Sequence, residues 1–217
     1  MVHWITRNAN LVALQEIWCR QTAWATAFAA AGWSFVRPAR EHQIIGLFGS
    51  GLAIAWRRTD WRITDARFYP YISAIGFDNF VTKGWFRIEL EDNSGHSLRL
   101  LNTHMQSDYE LCDDLWRPIA EPVRMSQAHQ LTEVEARLPP MTTLICGDMN
   151  TEMCWFSDFQ WLTQHMGATF PATSQILDHC AFSIKGPQWI IEEHRVCREC
   201  DWSDHWPVLW VLRSSRE

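Results

Sequence analysis

The chain has 217 residues, 47% hydrophobic and 20% charged, enough for one well-filled domain spanning residues 1–217 and short for two. A net charge of −6, from 19 Lys and Arg against 25 Asp and Glu, counts against a protein that coats nucleic acid through many phosphate contacts. No apolar run approaches the roughly 18–20 residues that cross a bilayer, no signal peptide is visible, and seven scattered cysteines do not make a disulfide-stapled secreted scaffold. The default reading is soluble and cytoplasmic, with the compartment itself left unassigned by the sequence.

In chain order, Leu11 to Gln15 reads as a strand, and Arg20 to Ala31 as a helix stopped by Gly32. Gly51 to Arg57 and Trp61 to Tyr69 read as strands separated by Arg58-Thr59-Asp60. From Trp85 to Leu90, Phe86, Ile88 and Leu90 fall on one face, which is strand periodicity. Asn93-Ser94-Gly95 is turn chemistry, so Ser97 to Thr103 is its hairpin partner. Apolar spacing turns helical from Val123 to Leu138, where Pro139-Pro140 ends it. Thr142 to Cys146 reads as a buried strand and 154–166 as a helix. Cys180 to Ile184, Trp189 to Glu192 and Val208 to Leu212 read as further strands. Neighbouring strands with few helices between them predict an α+β architecture in which two sheets pack face to face with helices outside.

Polar side chains recur at the ends of these apolar strands: Glu16 after Leu14-Gln15, His104 after Asn102-Thr103, and Asp148 and Asn150 in Gly147-Asp148-Met149-Asn150. Asp178 stands in Leu177-Asp178-His179, and Asp204 and His205 stand in Ser203-Asp204-His205. A single carboxylate at a strand end is usually a turn or cap residue. Five such places together match what phosphodiester hydrolysis requires: hard oxygen ligands, a base for water, and donors to phosphate oxygens.

The series LQE, NTH, GDMN, LDH, SDHWP, running from about Asn10 to Leu212, resembles the endonuclease/exonuclease/phosphatase superfamily. The resemblance implies a four-layer α/β/β/α sandwich of two mixed, mainly antiparallel sheets, and a Mg²⁺-dependent phosphoesterase, with Mn²⁺ as the alternative metal. It assigns Glu16 as metal ligand, Asp204 near the metal, His205 as general base, Asp178 as its orienting partner, and His104 as the second histidine. Asp148 and Asn150 would position water and phosphate oxygens. His179 departs from the family pattern.

Asp78-Asn79-Phe80-Val81-Thr82-Lys83-Gly84, then NTHMQSDY and Val123-Arg124-Met125-Ser126-Gln127, is similar to the neutral Mg²⁺-dependent sphingomyelinases, in which an Asp and a Lys five residues apart act at the site. Asp78 and Lys83 have that spacing, against the alternative that Lys83 is an exposed loop residue. The implied substrate is a sphingomyelin-like phospholipid. A DNA or RNA nuclease and a catalytically impaired binding module are the competing readings, and the acidic charge does not exclude a nuclease, because a bound cation supplies positive charge at the phosphate.

Three subsidiary expectations accompany these. Asp108, Glu110, Asp113 and Asp114 bind a second cation or form a solvated loop. Trp155, Phe156, Phe159 and Trp161 dock on lipid or pack in the core. Cys197 and Cys200 bind zinc with His194 or His205, or are buried thiols. One part of the family pattern is missing: an opening strand ending in a metal-reaching Asn. Only ten residues precede the Leu11 strand, and neither Asn8 nor Asn10 follows an apolar strand, so unpaired backbone groups and a half-open core are expected.

Overall fold

A computed structural model describes residues 1–39, 49–108, 113–153, 155–163, 166–183 and 189–214. Its helices are α1 (Val2–Asn8), α2 (Gln21–Ala30) and α3 (Asp113–Ala136). The strands are β1 (Leu11–Leu14), β2 (Trp33–Val36), β3 (Ala53–Arg57), β4 (Trp61–Pro70), β5 (Gly84–Asp92) and β6 (Ser97–His104). They continue with β7 (Thr143–Asp148), β8 (Phe159–Trp161), β9 (Asp178–Ser183), β10 (Trp189–Val196) and β11 (Val208–Ser214).

Six strands form one sheet in the order β4-β5-β6-β7-β9-β8, antiparallel except for the parallel β6–β7 pair. Its inner face carries Phe86, Ile88, Leu90, Leu98, Leu100, Leu144 and Cys146, as the period-two pattern predicts. These pack against Ile54 and Trp56 of β3 and, across from β10 and β11, against Trp189, Trp210 and Leu212. On the outer face, Leu101 and Ile145 meet Ala128 and Leu131 of α3. Behind β1–β3, Ile5 and Phe28 of α1 and α2 pack with Trp33 and Ala55. The layers therefore run helix, sheet, sheet, helix.

The sheet opposite the six-stranded one is split in two, β1-β3-β2 and β10-β11. Among the described residues β1 pairs only with β3, and β11 only with β10. Both border a cavity of about 880 Å³ floored by Leu100, Leu144 and Cys146.

Several local expectations are corrected. The 154–166 segment is not a helix: among its described residues it contributes β8, hydrogen-bonded to β9 at the sheet edge. Its aromatics give apolar spacing that suits either period, and cross-strand packing decides it. Phe156 is buried, with Trp155, Phe159 and Trp161 packed around the same cluster, so they serve the core rather than a lipid surface. Helix α3 starts ten residues before Val123 and runs through Pro118 and Pro122, each of which removes a helical donor. Asp108 pairs with Arg124 at 2.7 Å, whereas Glu110 lies outside the described residues. Cys197 and Cys200 are buried, and His205 is bound to Asp178 rather than to them. Helix α1 and strand β2 were not expected at all.

Candidate active site

Strand register builds the site. Gly84 of β5, His104 of β6, Asp148 of β7 and Asp178 of β9 are successive cross-strand partners, forming one row across four strands. Residues directly opposite in a sheet point to the same face, so His104, Asp148 and Asp178 emerge together at one rim. Two glycines make this row possible. A Cβ on Gly147 would lie 1.9 Å from the Thr103 carbonyl oxygen, and its φ of +142° already disfavours other residues. A Cβ on Gly84 would lie 2.3 Å from the Tyr69 carbonyl oxygen.

The remaining predicted residues arrive from loops. His205 Nδ1 lies 2.7 Å from Asp178 Oδ2, and its ring packs 4.8 Å from that of Phe170. His205 Nε2 and His104 Nε2 face the same Asp148 Oδ2 from 3.9 and 3.6 Å. Those separations exceed direct hydrogen-bond length. Asp148 Oδ1 accepts the Asn150 backbone N–H at 2.9 Å, and Asn150 takes up a φ of +52°. Asn150 Nδ2 and Lys83 Nζ both donate to the Met105 carbonyl, at 3.2 and 2.9 Å.

Lys83 is not an exposed loop residue. It and Asp78 are 4% and 6% exposed, and Nζ lies 3.4 Å from Asp78 Oδ1. Asp78 Oδ2 accepts the Ser107 N–H at 2.8 Å, which fixes the carboxylate.

Glu16 stands at the end of β1 in a left-handed conformation, φ +60°, exposed beside the same cavity as Asp178 and His205. Its position depends on Asn102, a fully buried residue that the sequence motif contained but did not assign. Asn102 Nδ2 donates to the Leu14 and Ala53 carbonyls at 2.9 and 3.0 Å, and Gln15 Nε2 donates to Asn102 Oδ1 at 2.6 Å. Asn102 thus ties the rim of the large sheet to the end of β1. Asp204 is exposed next to His205, and its Oδ1 accepts the Ser203 hydroxyl. His179 is structural: its ring bonds Thr163 and the Thr151 carbonyl, both at 2.6 Å.

The electrostatics follow from burial and unbalanced carboxylates. Burial and the neighbouring Asp178 charge push the Asp148 carboxyl up to about 7, with His205, the Asn150 N–H and Lys83 opposing. Burial disfavours the His205 cation, but the Asp178 hydrogen bond and the Asp178, Asp148 and Asp204 charges outweigh it and raise His205 to about 9. Burial, with the Lys83 and His205 charges, holds His104 well below the usual histidine range, and its buried Nδ1 has no hydrogen-bond partner among the described residues. Burial lowers Lys83, while Asp78, Asp148 and Glu16 hold it up.

A raised, buried carboxyl facing a second carboxylate is the arrangement a hard cation relieves. Glu16, Asp148 and Asp178 offer oxygen donors of the kind Mg²⁺ prefers. Among the described residues, no three such groups form a closed cage.

No protein-family model and no curated protein sequence matches this chain. Among solved structures it is similar to beta toxin from Staphylococcus aureus, at 18% identity, TM-score 0.72, covering 94% of this chain and 86% of that one. A second structure of that toxin has bound magnesium ions (17% identity, TM-score 0.67, covering 93% and 86%). Sphingomyelinase C from Streptomyces griseocarneus matches at 17% identity and TM-score 0.68, covering 97% and 87%. D. rerio TDP2 complexed with a single-strand DNA product matches at 12% and 0.69, covering 94% and 86%. The element order, the two-layered sheet core and these likenesses agree on one architecture: the chain has the endonuclease/exonuclease/phosphatase fold.

Proposed function

We propose that this protein is a divalent-cation-dependent phosphodiesterase in which His205 activates the attacking water. The observation that carries the reading is the convergence of His205 and His104 on one Asp148 oxygen, with Asp178 locking the His205 ring through Nδ1. Nδ1 held by a carboxylate leaves Nε2 as the proton acceptor. Water oxygen forms the new bond to phosphorus as its proton passes to His205 Nε2, and the bond from phosphorus to the leaving oxygen breaks. Neutral His104 offers an N–H to a phosphate or leaving oxygen, and Lys83 adds fixed positive charge within the buried wall. Asp148 and Asn150 orient the water. Glu16 would hold Mg²⁺ (or Mn²⁺), with Asp204 contributing through water. The ion supplies charge neutralisation at the phosphoryl oxygens when bound.

The substrate we favour is a sphingomyelin-like phospholipid. Exposed Phe77 and Phe80 flank Asp78 on one short 3₁₀ helix, Gly76–Phe80, with Ile72 close by in the chain. Exposed aromatic and aliphatic side chains close in the chain to Asp78 suit a lipid interface. No helix among the described residues is long and apolar enough to cross a membrane, so contact would be peripheral. The same chemistry would serve a nucleic-acid phosphodiester, the activity of a nuclease. Incubation with Mg²⁺ and sphingomyelin micelles, in parallel with plasmid DNA, separates the two. Headgroup release lost in Phe77→Ser/Phe80→Ser on micelles, yet retained on a short-chain soluble analogue, supports the lipid reading. DNA nicking without headgroup release replaces it.

A further inference from the structure

We propose that Thr169 and Phe170 are positioning residues for the Asp178–His205 pair. Thr169 holds the strand that carries the carboxylate against the loop that carries the imidazole, and Phe170 sets the plane of the ring. The inference rests on the reading of His205 as the base that activates water. The pair joins positions 27 apart in the chain, at the start of β9 and in the loop before β11. Neither segment alone fixes the 2.7 Å separation of Nδ1 and Oδ2. Thr169 lies on a third segment, between β8 and β9, and is wholly buried. Its hydroxyl oxygen accepts the Leu177 and Asp178 backbone N–H groups at 2.9 and 3.0 Å, which occupies both lone pairs. Its carbonyl accepts the Trp206 N–H at 2.8 Å, the peptide group that follows His205. One residue therefore grips the backbone on each side of the Asp178–His205 hydrogen bond. A threonine that served only to cap the start of β9 would bond Leu177 or Asp178 and leave the His205 loop alone.

The anchor is itself held. Thr169 and Phe170 both donate their N–H groups to the Gln175 carbonyl, at 2.9 and 3.0 Å, which closes the turn between them. Leu177 accepts the Met149 N–H through its carbonyl at 2.8 Å, so the start of β9 is also fastened to the Asp148–Asn150 motif. Phe170 adds the second constraint. Its ring, partly buried, packs 4.8 Å from the imidazole of His205 at an interplanar angle of 40°. The χ2 torsion of a histidine is a broad well, so a hydrogen bond at Nδ1 fixes one point of the ring and leaves its plane free to swing. A packed face removes that swing and keeps Nε2 directed at Asp148 Oδ2, 3.9 Å away. In a catalytic constellation, a misplacement of about 1 Å costs on the order of 10²-fold in rate.

The test pairs Thr169→Val, which removes the hydroxyl and keeps the backbone groups, with Thr169→Ser, which keeps both. It also pairs Phe170→Leu with Phe170→Tyr, which keeps the ring. On bis(4-nitrophenyl) phosphate with Mg²⁺, Thr169→Val and Phe170→Leu should each lower kcat by about ten- to a hundredfold with KM unchanged. Thr169→Ser and Phe170→Tyr should restore most of that loss. A second readout needs neither metal nor turnover. In cation-free buffer at one fixed pH, the His205 ring-proton resonance, identified by its absence in His205→Gln, carries the ring-current shift of Phe170. Phe170→Leu should move it, Thr169→Val should move it toward the same position, and the two conservative variants should return it. If Thr169→Val does not fold, amide exchange in the unaltered chain decides: Leu177, Asp178 and Trp206 should be protected together, and fast exchange at Trp206 alone overturns the proposal. So does equal behaviour of Thr169→Val and Thr169→Ser, a loss carried by KM rather than kcat, or a resonance unmoved in Phe170→Leu. An unaltered chain with no turnover overturns the phosphodiesterase reading instead, and the resonances still decide how the pair is held.

Discussion

Asp148 on β7 and Asp178 on β9 are direct cross-strand partners, two carboxylates facing one another at the rim of an antiparallel pair. Like charges in that position destabilise a sheet, by about 0.2–1 kcal/mol. Burial is the larger cause of the raised Asp148 carboxyl, and the facing Asp178 charge adds to it. Asp148→Asn removes the repulsion and keeps an oxygen to accept the Asn150 N–H. In cation-free buffer at pH 8 it should raise the melting temperature by about 1–4 °C, as scanning calorimetry would measure, while lowering phosphodiester hydrolysis at least tenfold. A variant that melts lower, or keeps full activity, contradicts this assignment.

The Asp178–His205 pair sets a pH dependence. With His205 raised to about 9, its proton-accepting form increases as pH rises toward that value, so activity should climb from pH 6 to 9. Asp178→Asn removes both the charge and the strong acceptor. The acid limb should move down toward pH 6.5, at a reduced maximum rate. An unchanged limb would show that another group controls it.

Stability should follow the same group in the opposite sense. His205 titrates higher in the folded chain than its ordinary value of 6.5, so its contribution is complete below pH 6.5 and lost as pH rises through about 9. Urea unfolding should find Asp178→Asn destabilised by about 1.5 kcal/mol at pH 6, with the difference shrinking by pH 9.5. A difference that grows with pH would contradict the pairing.

Lys83 and Asp78 form a buried pair, and removing one member leaves the other charge uncompensated. Asp78→Ala should cost about 3 kcal/mol or more by denaturant titration. Lys83→Met, which removes the charge and keeps the apolar stem, should lower the maximum rate more than it lowers stability. Equal losses in both would reduce Lys83 to a structural role.

Gly147→Ala should unfold the rim rather than tune it, because the added carbon would fall 1.9 Å from the Thr103 carbonyl oxygen. A destabilisation well above about 1 kcal/mol is expected, with activity lost in parallel. A fully stable variant would mean that β6 and β7 can separate without cost.

Most of the architecture was legible because strand periodicity is a local signal: Phe86, Ile88 and Leu90 announce their face within five residues. The 154–166 segment was misread because its aromatic spacing fits both periods and only pairing with β9 decides. Helix α3 extends ten residues ahead of the apolar spacing that begins at Val123. The candidate residues stand out in the sequence as a set of strand ends, but the row that aligns Gly84, His104, Asp148 and Asp178 is a matter of register, which sequence spacing does not carry. The clamp from Asn102 to Leu14 and Ala53 bridges residues 88 and 49 positions apart, so no local pattern could reveal it. Gly147 was visible in its motif, yet its steric necessity depends on how closely β6 approaches.

The most direct measurement is hydrolysis of a soluble chromogenic phosphodiester, bis(4-nitrophenyl) phosphate, with and without Mg²⁺, by the unaltered chain and by His205→Ala. Cation-dependent turnover that falls by about 10²–10⁴ in the variant, with its circular dichroism unchanged, is the result expected of a general base. Equal turnover in the two proteins, or none in either at any Mg²⁺ concentration, would contradict the assignment of this rim as a phosphodiesterase site.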